Sequence, residues 1–129
     1  MIGLLIVAHG NLGKSLIDCA QHVMGGPLPF LQSLEVSQRD APETLLPRGQ
    51  ALLRQLDQGA GVLVMSDIFG ATPANIARRL LNPGQVEGVS GINLPMLIRA
   101  ITYRDKTLPL LVEKALSGGI EGVIRMHGA

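Results

Sequence analysis

Hydrophobic positions along the chain fall into two rhythms that take turns. Ile2 to Ala8 is an unbroken apolar run ending at His9-Gly10, and Gly61 to Ser66 is another, closed by Asp67. Short runs that are apolar throughout predict strands buried on both faces, as in a parallel sheet. From Leu12 the apolar residues return at helical spacing (Leu16, Ile17, Ala20, Val23, Met24), and "GGPLP" (Gly25 to Pro29) ends that helix. Leu31 to Val36 predicts a second short strand. Leu45, Leu46, Leu52, Leu53 and Leu56 mark the next helix, with Pro47 expected in its first turn. Thr72-Pro73 reads as an N-cap followed by proline at the first helical position, opening a helix through Leu81. Val86 to Gly91 is a weaker strand. Leu94, Leu97, Ile98 and Ile101 form one helical face, and Leu108, Leu111, Val112, Ala115 and Leu116 another. Gly122 to Met126 predicts a final short strand.

Strands alternating with helices predict an α/β fold: a doubly wound, mostly parallel open sheet with helices on both faces. Two consecutive helices before the last strand break the alternation, so that strand is expected to run antiparallel at an edge. The 129 residues show no repeat or linker and are expected to form one domain, residues 1–129.

Composition narrows the function. Apolar residues make up 47% and charged residues 16%, which predicts a packed interior rather than disorder. Eleven Lys and Arg against ten Asp and Glu leave a formal charge of +1, and aromatic residues are only 2%. Neither balance suits nucleic acid or an acidic membrane surface. The N-terminal "MIGLLIVA" lacks a basic flank and a cleavage site, and no run approaches the length of a membrane span, so a cytoplasmic location is expected. A mean hydropathy of +0.32 without such a span predicts an apolar oligomer interface, and a dimer is expected. The single Cys19 rules out an internal disulfide; within its apolar pattern it reads as a buried small hydrophobe rather than a nucleophile.

Ligands of open parallel sheets gather beyond the carboxyl ends of the strands, near the point where strand order reverses. His9 and Asp67 stand at two such ends. If the first and third strands are neighbours, the carboxylate can hold Nδ1–H of the imidazole and leave Nε2 as a lone-pair nucleophile. Amides at the helix start near Thr72 to Asn75 would favour an anion. His22, inside a helix, and His127, near the terminus, read as surface residues. Two other chemistries compete. "AHGNLGKS" nearly matches the phosphate-loop pattern of nucleotide-binding proteins, but Ala8 replaces its first glycine and His9 would crowd the cradle; Lys14 then reads as a solvated helix residue. The strand-end "HG" is also similar to class II tetrapyrrole chelatases, which need a second ligand histidine that the chain does not supply between His22 and His127.

Three segments, "LIVAHGNLGKSL", "VLVMSDIFGATPANIARRL" and "VSGINLPMLIRA", together resemble the EIIA domain of the mannose-family phosphotransferase system. The resemblance spans nearly the whole chain. It implies a homodimer in which His9 accepts phosphate from the histidine phosphocarrier protein and passes it to an EIIB partner, with Asp67 orienting the ring. Sugar uptake or regulation would follow, with contact to a membrane only through a permease complex, and with no metal or other cofactor. Gly70, Ala71 and Thr72 would bind the phosphoryl group through their amides. Ala71 stands where a second glycine is common, and Ile68 where a threonine can occur, which removes one hydroxyl. Pro73 favours the sugar-type EIIA over the related dihydroxyacetone kinase subunit. Asn93 and Pro95 are expected to shape the rim by a turn before the next helix.

Overall fold

The computed structural model describes all of residues 1–129. Nine elements follow in order: β1 (Gly3–His9), α1 (Leu12–Met24), β2 (Leu31–Val36), α2 (Pro42–Leu56), β3 (Val62–Ser66), α3 (Thr72–Leu80), β4 (Val86–Ser90), α4 (Leu94–Tyr103) and α5 (Leu108–Glu121). The sheet order is β2-β1-β3-β4, and all three pairings are parallel. The doubly wound α/β fold is thus present, and the chain reverses its direction of sheet growth between β1 and β3.

Strand alternation sorts the core into two layers. Leu4, Ile6 and Ala8 of β1 and Ile2 just before it, with Leu63 and Met65 of β3, face α1, α4 and α5. Leu5 and Val7, with Val62, Val64 and Val86, face α2 and α3. Because β1 is covered on both sides, its residues through Ala8 are almost fully buried, which is what its unbroken apolar run requires. Helix α1 approaches the sheet at Gly13, where an added Cβ would stand 2.9 Å from Cβ of Ser33 and 3.1 Å from a methyl of Ile6.

Four local expectations need correction. The antiparallel edge strand at 122–126 does not form: the chain leaves α5 at Gly122, and Val123, Ile124 and Met126 stay exposed beside no partner strand. Apolar pattern without a ladder to join makes no strand, and β4 is left as an open edge. Pro47 lies beyond the first turn, as the sixth residue of α2. Pro47 and Glu43, four residues before it, are both exposed, so water can serve the carbonyl that loses its donor. Ala71, not Thr72, is the N-cap of α3, and no side chain caps that end. Cys19 is exposed rather than buried, because the buried stripe of α1 runs through Gly13 and Ala20, with Leu16 and Ile17 packed beside it.

At the amino-terminal end of the sheet, Arg104 is buried and donates to three backbone carbonyls. Its Nε reaches Ile2 at 3.0 Å, and its two terminal nitrogens reach Pro29 at 2.7 Å and Phe30 at 2.5 Å. It ties the end of α4 to the start of β1 and to the turn before β2.

Candidate functional site

The site forms because β1 outruns β3. Val7 pairs with Ser66, the last residue of β3, while β1 continues through His9 against Val36 of β2. The chain after Ser66 therefore turns across the end of β1, and Asp67 meets His9. One carboxylate oxygen, Oδ2, accepts from the His9 backbone amide at 3.0 Å and lies 2.6 Å from Nδ1 of the ring. The other, Oδ1, accepts from the Ile68 amide at 2.9 Å. Burial pushes the Asp67 carboxyl up, but these donors and the adjacent imidazole outweigh it and hold the carboxyl below the usual carboxylate range. An ionised Asp67 only accepts, so Nδ1 carries the proton and Nε2 keeps a lone pair. The carboxylate is mostly buried, whereas the imidazole is 54% exposed, so the free nitrogen faces solvent.

After Asp67 the loop reaches α3 through Gly70, whose φ of +89° belongs to the left-handed region that glycine adopts without strain. The amides of Gly70 and Thr72 have no acceptor within the protein, and that of Ala71 makes only a long 3.4 Å contact with the Ile68 carbonyl. Asn75, one turn into α3, reaches back to the Gly70 carbonyl at 3.5 Å. Across the rim, Asn93 accepts from the Met96 amide as the N-cap of α4, with Pro95 in the first turn. Its side-chain amide also donates to the Gly119 carbonyl at 3.0 Å, a tie to α5 that no local pattern around Asn93 signals.

The phosphate-loop alternative fails on backbone geometry. Its eight residues, Ala8 to Ser15, lie mostly inside regular elements: β1 runs to His9 and α1 starts at Leu12, leaving only Gly10 and Asn11 between. Gly13, the motif's second glycine, is buried against β1 and β2 instead of lining a cradle. For the chelatase alternative, the one side chain paired with His9 is Asp67, and no group of three His, Cys, Asp or Glu side chains is placed to hold a metal ion. His22 sits on the exposed side of α1 and His127 in the segment after α5.

At the switch point of this small parallel sheet a carboxylate thus orients one half-exposed imidazole through Nδ1. The chain belongs to the EIIA-man family, PTS system fructose IIA component, whose model matches residues 3–115. It is similar to the mannose-specific EIIAB component of Escherichia coli K12, with 31% identity over 130 residues, covering 95% of this chain and 38% of that protein. The chain thus spans well under half the length of that relative. The fructose-specific EIIA component of Bacillus subtilis is 26% identical over 111 residues, 81% of this chain and 72% of that one. Among solved structures, the mannose/sorbose-specific IIA subunit from Enterococcus faecalis shares the fold at a TM-score of 0.87 and 22% identity, over 99% of this chain and 96% of that one. The protein is a phosphotransferase-system EIIA component of the mannose and fructose family. No helix is long and apolar enough to cross a membrane.

Proposed function

We propose that His9 is a phosphoryl carrier, charged by a histidine phosphocarrier protein and discharged to an EIIB partner. The observation that supports this best is the 2.6 Å contact of Nδ1 with Asp67, which leaves Nε2 free and exposed. In the transfer the Nε2 lone pair attacks phosphorus in line, a new N–P bond forms at His9, and the N–P bond of the donor imidazole breaks. The donor ring regains its lone pair and no proton need cross. Ring charge then develops on His9, where the Asp67 carboxylate offsets it. Charge spread over the equatorial oxygens would be met by the unpaired amides of Gly70 and Thr72, with that of Ala71, without a metal or other cofactor.

The same reading includes a homodimer. Ile120, Val123, Ile124 and Met126 are 74% exposed or more, and β4 has an unpaired edge. A second copy that covers them would remove both liabilities. Sedimentation should give a dimer at micromolar concentration, and a monomer there counts against it.

Incubation with phosphoenolpyruvate, the first phosphotransferase enzyme and the phosphocarrier should place one acid-labile, alkali-stable phosphate on the chain. Tight Mg²⁺-dependent ATP binding with no such label would overturn the proposal.

A further inference from the structure

The loop that carries Asp67 also displays two large apolar side chains that the transfer chemistry leaves unused. Ile68 is 60% exposed and Phe69 is 70% exposed. Phe69 borders a cleft of about 300 Å³ walled by Val64, Ala74 and Leu81, yet most of its ring stays in solvent. It is held there from α3: the Arg78 guanidinium carbon lies 5.9 Å from the ring centroid, within cation–π range. Arg79 is the next residue, and with Arg78 and Asn75 it lines an adjoining polar hollow of about 360 Å³.

Neither arginine has an anionic partner. The chain's two ion pairs are His9 with Asp67 and Arg99 with Glu121. Glu87, the carboxylate nearest in sequence, accepts from the Gly84 amide, and Asp67, the next nearest, is engaged on both oxygens. The loop that carries Asp67 thus presents an aromatic contact surface with unpaired positive charge against it.

We propose that Phe69, with Arg78 stacked on it and Arg79 beside it, is the landing patch for the phosphorylated form of the carrier that charges His9. This rests on His9 being the phosphoryl acceptor. The charge match chooses the occupant, since a phosphorylated imidazole brings a doubly negative phosphoryl group to the same rim. Two unpaired cations favour its approach over a distance of about 8 Å at physiological salt. Phe69 supplies the desolvated contact that holds register while the N–P bond is exchanged. Arg78 and Arg79 act on encounter and Phe69 on dwell time, so their losses separate kinetically.

The test compares two donors to His9, the phosphorylated carrier and phosphoramidate, which needs no protein contact. Phe69→Ala should raise the KM for the carrier about tenfold and change kcat little. The double variant Arg78→Gln/Arg79→Gln should lower kcat/KM for the carrier about tenfold at low salt and flatten its salt dependence. In both, the carrier rate should fall relative to the phosphoramidate rate. Arg54→Gln, a charge loss on the exposed end of α2, should leave the carrier rate unchanged. Equal losses with both donors, an unaltered KM and salt slope, or dissociation of a wild-type dimer by Phe69→Ala would each overturn the patch. Wild-type protein labelled by neither donor would instead remove the transfer proposal beneath it.

Discussion

The two ends of the sheet each use a charged side chain to join separate stretches of backbone, and they do so with opposite results. At the amino-terminal end, Arg104 spends its donors on the carbonyls of Ile2, Pro29 and Phe30 in a buried setting. Burial pushes its guanidinium down, against the pull of Asp105, and the carbonyls replace the water it lost. At the carboxyl-terminal end, Asp67 is just as fully engaged, but the ring it holds keeps one nitrogen free and exposed. A satisfied charge fixes the chain; a half-satisfied imidazole is fixed and still able to react. Location in a parallel sheet accounts for the contrast, because ligands reach the carboxyl ends of strands while the amino ends close over the core.

The largest effect should come from the reactive end. His9→Ala should abolish labelling, since no other side chain nearby forms the same adduct. Asp67→Asn should retain label on His9 but slow its formation, by as much as about 10⁴-fold if the amide stabilises the wrong tautomer as in histidine triads. Labelling kinetics with the carrier measure both. Label that is acid-stable, or that persists in His9→Ala, would break the distinction between the two ends, because the nucleophile would lie elsewhere.

At the closed end the expected loss is in stability and not in chemistry. Arg104→Met leaves the Ile2 and Pro29 carbonyls without a donor and that of Phe30 with the Leu4 amide alone, at a cost of about 3 kcal/mol in denaturant unfolding. Arg104→Lys should recover only part of it, because an ammonium cannot span three acceptors with a planar fork. The labelling rate per folded molecule should stay near wild type in both. A rate that falls in step with stability would mean that the amino-terminal end is coupled to the site.

The carboxyl-terminal end was far more legible in the sequence than the amino-terminal one. His9 and Asp67 each terminate an unbroken apolar run, so position along the strand placed them on the same edge of the sheet. Their contact needed one more condition, that β1 and β3 be neighbours, which parallel α/β topology makes natural. Arg104 carries no comparable signal: its three acceptors are 74 to 102 residues away in sequence and are backbone atoms, which any residue type supplies. The edge strand was misread for a related reason. Val123, Ile124 and Met126 have the composition of a strand, but pairing belongs to a ladder, and β4 offers its edge without their taking it. Thr72 looked like a cap by residue type, yet the turn at Gly70 sets the helix start one residue earlier than its hydroxyl could serve.

The smallest effect sharpens the comparison by pH. Asp67 has its folded pKa lowered, so in the acid range the unfolded chain binds more protons than the folded one, and stability rises with pH there. Its contribution is therefore fully present above the unfolded carboxyl pKa, about 3.9, and is lost as pH falls through the lower folded value. Arg104 stays charged across that window and contributes no such slope. Wild type should accordingly hold its full advantage over Asp67→Asn in unfolding free energy only above about pH 3.9. The two should converge as pH drops below about 4. Arg104→Met should run parallel to wild type over the same range. Denaturant titrations at several pH values read all three. A gap between wild type and Asp67→Asn that widens on acidification would mean that the folded state favours the protonated carboxyl, and that Nδ1 of His9 meets an acid in place of an anion.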